Sequence, residues 1–309
     1  MLNIVKMLEQ NLTKESYMKN TGSKVLGKTY VSPSEAMCYT NEGAPVGSCI
    51  RQVWFKKKKA PETNEKSLYS LFIFEAGHMW EDWLVKQYQE LNIYLDRSIK
   101  LVDNDLNISC EIDILHTNPV TGAIEITECK QYSGANWYAA KDLLGTAIIR
   151  PKPKDQNLLQ CVKYLLVAAK YDINVVNLIY LDRSCSGFYN NKQFSIYLKG
   201  KNIYYDTFHN GELITIQETR FNTDSLLEKD SALIQMIELD CVPAPDYFIS
   251  YTPETLEIDY ARGAVTKTTY NKIKKGEINI EDQGSWNCRY CSYGKNPLTG
   301  DSTCLNYIE

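Results

Sequence analysis

The amino-acid sequence predicts an α/β fold: a mixed central sheet flanked by helices. Three observations carry this. Segments of helical and strand period follow one another in the order helix–strand–strand–helix–strand. The run Val175-Val176-Asn177-Leu178-Ile179-Tyr180-Leu181 is apolar nearly throughout, as in a strand covered on both faces. Hydrophobic residues make up 44% of the 309 and charged residues 23%, an ordinary balance that can build a real core.

Taken in order, Met1, Leu2, Ile4, Val5, Leu8 and Leu12 fall at helical spacing, with Lys6, Glu9 and Lys14 between them. That is an amphipathic helix without the continuous apolar core of a signal peptide. No stretch is long enough to span a bilayer, so no membrane partner and a cytoplasmic location are expected. A Gly/Ser/Pro-punctuated stretch leads to the basic segment Arg51–Lys59, and Pro61-Glu62-Thr63-Asn64 reads as a loop. Spacing is helical from Leu68 to about Glu90. Residues 99–132 read as strands broken by a turn at Thr117–Gly122. A helix over 156–170, the buried strand 174–182, strands near 194–208 and 213–221, and a helix over 224–239 follow. Pro243 and Pro245 stop that last helix, and 246–284 is the least legible part of the chain. Repeats and low-complexity tracts are absent. Three segments are expected: 1–66, a core over 67–245, and a cysteine-rich 246–309.

The net charge of −4 gives no overall attraction for nucleic acid, so any phosphate contact needs a local basic groove. Ten cysteines in a reducing compartment point to metal ligands or small buried hydrophobes rather than disulfides. The 22 tyrosines are mostly half-buried packing residues.

The chemistry concentrates in two adjacent strands. In Ile124-Glu125-Ile126-Thr127-Glu128-Cys129-Lys130, alternate residues share a face that starts apolar and ends in Glu128 and Lys130. Such a break in pattern marks functional sites. In Ser109-Cys110-Glu111-Ile112-Asp113-Ile114, Glu111 and Asp113 share a face, and a hairpin brings Asp113 to Glu128. Two carboxylates at one point suit Mg²⁺ or Mn²⁺. An adjacent lysine can orient water and steady phosphate charge. On their own, these residues also fit a surface strand pair with a Glu–Lys ion pair. Downstream, Gln160 and Tyr164 stand four apart on one helix face. Upstream, Gly77-His78-Met79-Trp80-Glu81 places one of three histidines on a helix, with Glu81 one turn on.

In this order the motifs resemble the PD-(D/E)XK core of the RecB-type nucleases, a restriction-endonuclease-like fold. Asp113, Glu128 and Lys130 match the central motif, Gln160 and Tyr164 the Q-x-x-x-Y motif, and His78 the first motif. The resemblance implies a metal held by Asp113, Glu128, His78 and the Cys129 backbone carbonyl. It implies a single-strand-directed DNA exonuclease of recombination or replication, from a phage or prokaryotic source.

At the end of the chain, Cys288-Arg289-Tyr290-Cys291 is a C-x-x-C knuckle followed by Cys304, for which zinc is the first bottom-up expectation. With Cys49 ahead of the core, the set resembles the split cluster of the iron–sulfur nucleases, the CRISPR-associated Cas-four type and the AddB nuclease domain. This implies a [4Fe–4S] cluster on Cys49, Cys288, Cys291 and Cys304, in a lobe joining the N- and C-terminal segments. The gap before Cys304 is longer than the family's, and Cys38 competes with Cys49. Cys110, Cys129, Cys161, Cys185 and Cys241 are expected to be structural.

Two other functions compete: an inactive nucleic-acid-binding scaffold with a structural metal site, and a P-loop nucleotide hydrolase. Gly22-Ser23-Lys24-Val25-Leu26-Gly27-Lys28-Thr29 matches the phosphate-loop pattern in full. Its flanks do not fit, being polar before Gly22 and extended after Thr29.

Overall fold

A computed structural model of the chain describes residues 28–64, 68–132, 152–182, 191–209, 212–218, 220–296 and 299–306. The N-terminal amphipathic segment, Gly22–Gly27 of the phosphate-loop pattern and Cys185 lie outside them. In chain order the strands are β1 (Met37–Tyr39), β2 (Pro45–Gly47), β3 (Tyr94–Asp103), β4 (Ile108–Thr117), β5 (Ile124–Tyr132), β6 (Val176–Asp182), β7 (Lys192–Lys199), β8 (Asn202–His209) and β9 (Glu212–Glu218). The helices are α1 (Ile50–Lys58), α2 (Leu68–Glu90), α3 (Asp155–Ala168), α4 (Thr223–Glu238), α5 (Pro253–Ala261), α6 (Lys267–Lys274), α7 (Trp286–Arg289) and α8 (Thr303–Asn306).

The chain divides into two compact units. One unit holds the chain up to Ala36 together with Ser67–Leu227; the other holds Met37–Lys66 with Glu228–Glu309. The segment after Ala36 therefore folds with the tail, and the boundary expected at 245 lies earlier, inside α4.

The first unit is a seven-stranded sheet, β3 to β9, in sequence order. Every neighbouring pair is antiparallel except β5 and β6, which are parallel, so the sheet is mixed as expected. A parallel pair needs a long crossover, and α3 lies in the stretch that joins β5 to β6. Leu158, Leu159, Val162 and Leu165 of α3 are buried, the stripe its spacing dictates. On α2, Leu84 and Val85 pack with Ile114 of β4. Each such side chain contributes roughly 1.5–3 kcal/mol on burial. The single strand expected over 194–208 is two. Lys199 pairs with Asn202 across a tight turn in which Gly200 takes φ +60°. After Thr29 the chain is extended, and Val31 bridges Ile108, where a phosphate loop would start a helix. Lys28 Nζ donates to Asn104 O at 2.7 Å.

In the second unit, β1 and β2 form a short hairpin before α1. Its own apolar cluster is Tyr251, Leu256, Val265 and Ile273. A buried ion pair, Lys229 Nζ to Asp246 Oδ1 at 2.8 Å, ties α4 to the segment after it. Asp246 Oδ2 also accepts the first N–H of α1, from Ile50 at 2.6 Å, a favourable place for an anion at a helix start. Among the described residues, no helix is long and apolar enough to cross a membrane.

Candidate active site and cysteine cavity

The two acidic strands part where their carboxylates stand. The β4–β5 ladder runs from Thr117↔Ile124 to Ile114↔Thr127 and stops. The next positions in that register are Asp113 and Glu128. From there β4 stays on β3, with Ile112 opposite Ile99, while β5 stays on β6, with Glu128 opposite Leu178. In the fork, Asp113 Oδ2 accepts the Cys129 N–H at 3.1 Å, taking the place of a ladder carbonyl. Residues opposite one another share a sheet face, so Asp113 and Glu128 face the same side.

Glu128 is the hub, with only 1% of its residue surface exposed. Its Oε1 pairs with Lys130 Nζ and accepts from Gln160 Nε2 at 2.8 Å. Gln160 Nε2 also donates to Tyr164 OH at 3.0 Å, so both residues of the α3 pair join the strand pair, and Tyr164 is buried. Glu128 Oε2 is buried and has no hydrogen-bond partner among the described residues. An unsatisfied buried oxygen costs roughly 1–3 kcal/mol, more if charged.

The electrostatics are those of a carboxylate pair that one lysine only partly compensates. Burial, followed by the Glu128 charge, pushes the Asp113 carboxyl well above the usual range; Lys130 and the Cys129 N–H only partly offset this. Burial pulls the Lys130 ammonium down, but the Glu128 and Asp113 charges outweigh it and hold it protonated above its ordinary value. Burial and both carboxylates raise the Tyr164 hydroxyl too. A divalent cation with oxygen preference would relieve this: it would let Asp113 ionise and would give Glu128 Oε2 a partner. The donor set fits Mg²⁺ or Mn²⁺ on that ground. Among the described residues, no three His, Cys, Asp or Glu side chains already stand together as a ready metal site.

His78 stands further out. Its side chain is 58% exposed, and Nδ1 lies 3.9 Å from Glu81 Oε2. Glu81 is the more inward of the two, and its charge also raises Asp113. Sequence reasoning missed the residue that holds it. Arg97 of β3 bridges Glu81 Oε1 at 3.0 Å and Asp82 Oδ1 at 2.6 Å, pinning α2 to the sheet edge.

Cys49, Cys288, Cys291 and Cys304 line one small cavity of the second unit, together with apolar Phe55, Pro245 and Ile249. Cys38 is buried in β1, outside that lining. The long gap before Cys304 is taken up by a loop whose end returns to the knuckle, where Cys304 N donates to Tyr293 O at 2.9 Å. Gly294 makes the return possible: a Cβ there would sit 2.6 Å from the Cys288 carbonyl oxygen. Burial pushes the Cys291 thiol up to about 11 and raises Cys49 and Cys288 as well. Thiolates here need a cationic partner. Arg51, 6% exposed, points its guanidinium at the site: Nη1 lies 3.2 Å from Cys304 O and 3.9 Å from its Sγ, while Nε donates to Pro243 O at 2.6 Å. An always-charged guanidinium beside a thiolate offsets its charge. Three buried cysteines, Cys49, Cys291 and Cys304, and the half-buried Cys288 give this cavity the sulfur donors an iron–sulfur cluster would use, although among the described residues no three of them already stand together as a ready metal site. Of the remaining described cysteines, none in that lining, Cys110, Cys129 and Cys161 belong to the first unit and Cys241 is exposed after α4.

No protein-family model matches the sequence, and no curated protein matches it.

Proposed function

We propose that the protein is a metal-dependent deoxyribonuclease of the PD-(D/E)XK type, a single-strand-directed exonuclease with a structural [4Fe–4S] cluster. One observation carries it. Asp113 and Glu128 meet where β4 and β5 fork, with Lys130 and Gln160 on one Glu128 oxygen and the other oxygen buried without a partner among the described residues. Asp113 and Glu128 would hold Mg²⁺ or Mn²⁺, with the Cys129 carbonyl and His78 as further ligands by resemblance. The bound cation would polarise the scissile phosphate and lower the pKa of water. Gln160 fixes the Glu128 carboxylate, and Tyr164 in turn fixes Gln160. Lys130, held as an ammonium, acts as a cation: it orients the attacking water and steadies charge on the phosphate rather than accepting a proton. Cys49, Cys288, Cys291 and Cys304 would hold the cluster, which closes a long loop of chain and so stabilises the fold.

Digestion of end-labelled linear and circular single-stranded DNA with Mg²⁺ or Mn²⁺ tests this. We expect metal-dependent loss of label from the linear strand and little cutting of the circle. Lys130→Ala should reduce the rate by about 10²-fold or more. Near-normal turnover in that variant would overturn the mechanism, and no cleavage by the native protein with either metal would overturn the function.

A further inference from the structure

The second unit carries a surface that the nuclease reading leaves unused. Helices α5 and α6 are joined by Arg262–Thr266, and one face of this pair is firmly held. Val265 and Ile273 are buried against Tyr251 and Leu256. Tyr260 and Tyr270 stack at 4.0 Å. Glu257 of α5 accepts from Tyr270 OH at 2.7 Å and pairs with Lys274 at 2.6 Å. Thr266 caps α6, its hydroxyl accepting the Thr269 N–H at 3.2 Å. The geometry of α6 is therefore fixed from one side.

The opposite side is a single polar stripe. Lys267, Thr268, Asn271, Lys272 and Lys275 are all exposed. Their spacing, i, i+1, i+4, i+5 and i+8, places them on one helix face. Lys274 is neutralised by Glu257, but Lys267, Lys272 and Lys275 have no ion-pair partner among the described residues. Three unpaired cations on one face of a chain with net charge −4 form the local basic surface that phosphate binding requires. The helix α6 has eight residues and is about 12 Å long, and a helix with its side chains is about 10–12 Å across, which the roughly 12 Å wide major groove of duplex DNA admits. Two short helices in succession, the second capped at its start, share the element order of a helix-turn-helix, whose second helix lies in that groove.

We propose that α5–α6 is a docking element for duplex DNA. Lys267, Lys272 and Lys275 contact phosphates on either side of the major groove, and Thr268 and Asn271 face the base edges. This deepens the nuclease reading, on which it rests for its purpose, since a strand being trimmed emerges from a duplex. Its test does not depend on cleavage.

The experiment uses the full chain and a fluorescein-labelled 24-base-pair duplex, without added divalent cation. Anisotropy is read across 50–200 mM salt. The variant Lys267→Ala/Lys272→Ala/Lys275→Ala is compared with wild type and with a charge-matched control, Lys86→Ala/Lys100→Ala/Lys199→Ala. Each phosphate contact adds about 0.9 to the salt slope. The α6 variant should therefore show a slope shallower by about 2.7. Over the fourfold salt range, wild type should lose about 40-fold more affinity than the α6 variant. The control should follow wild type in slope, and the α6 variant should keep the wild-type melting temperature. Equal slopes for wild type and the α6 variant would overturn the proposal. So would a wild type that binds no duplex, or an α6 variant that loses affinity only for a single-stranded oligonucleotide. Failure of metal-dependent cleavage with the slope difference intact would sink the nuclease reading alone.

Discussion

Lys229→Met tests whether the second unit depends on its buried ion pair. Lys229 and Asp246 side chains are each 2% exposed, and the ammonium lies 2.8 Å from Oδ1. The same ammonium sits 3.8 Å from the centre of the Tyr39 ring. Methionine keeps the length and can still pack on that ring, so the change removes charge rather than volume. It leaves the buried Asp246 carboxyl without its cation and with two remaining donors, Ile50 N at 2.6 Å and Tyr39 OH at 2.8 Å. Breaking one side of a buried pair costs about 3–5 kcal/mol, and the lost cation–π contact adds about 0.5–2 kcal/mol. At about 2–4 °C per kcal/mol, melting followed by circular dichroism should fall by roughly 10 °C or more. The decisive control is Lys229→Met/Asp246→Asn. An asparagine carbonyl still accepts the Ile50 N–H, and no charge is left stranded, so the double variant should recover most of the loss. A single variant within about 1 kcal/mol of wild type would refute the reasoning. So would a double variant no more stable than the single one.

The remaining predictions concern the two sites. The Asp113 carboxyl is raised on folding, so its stabilising contribution is complete below the unfolded value, near pH 4, and is lost as pH rises through the folded value. Asp113→Asn should therefore match wild type near pH 4 and exceed it at pH 8 by about 1–2 kcal/mol, while losing cleavage; parallel melting profiles would refute this. Cys49→Ser should abolish the brown colour and iron content of anaerobically purified protein, whereas Cys38→Ser should keep both. A colourless native protein carrying one zinc would remove the cluster but leave the nuclease core. Gly294→Ala should cost about 1–3 kcal/mol and lower metal content, because its Cβ meets a knuckle carbonyl at 2.6 Å; full metal loading with unchanged melting would show that the loop can shift.

Much of the first unit was legible because its elements are long and half-buried. Ile108–Thr117 alternates and its burial follows, Val176–Asp182 is an apolar run buried nearly throughout, and Leu68–Glu90 has helical spacing although Phe72, Phe74 and Met79 on it are exposed. The β7–β8 turn was missed because Gly200 is the one marker in an otherwise continuous polar–aromatic alternation. Helices α5 and α6 escaped notice for another reason. They are nine and eight residues long, rich in Thr, Tyr and Ile, and bury one or two side chains each, too few for a period to emerge. At the active site, the order of Asp113, Glu128 and Lys130 was visible along the chain. The fork and the orphaned oxygen were not, since both arise from which neighbour each strand keeps. Arg97, Arg51 and Asp246 are scattered charges in the sequence, and only the fold gives each its partner. The lysines of α6 did leave a signal, a basic spacing of five and three residues, but it needed a helix to give it meaning.

The interleaving of the two units has a consequence for synthesis. Cys49 leaves the ribosome 255 residues before Cys304, with the whole seven-stranded sheet in between. At about 5–20 residues per second, that is a wait of roughly 13–50 s. During it, Met37–Lys66 has been made but the rest of its unit has not: Asp246 is missing from the start of α1, and the knuckle has yet to be translated. The sheet unit, by contrast, has all its strands once Glu218 has emerged. The nascent chain must therefore carry an unpaired β-hairpin and an uncommitted thiol past a domain that is already folding. A ribosome that stalls between Leu227 and Cys288 would release a sheet joined to a second unit with no means of closing.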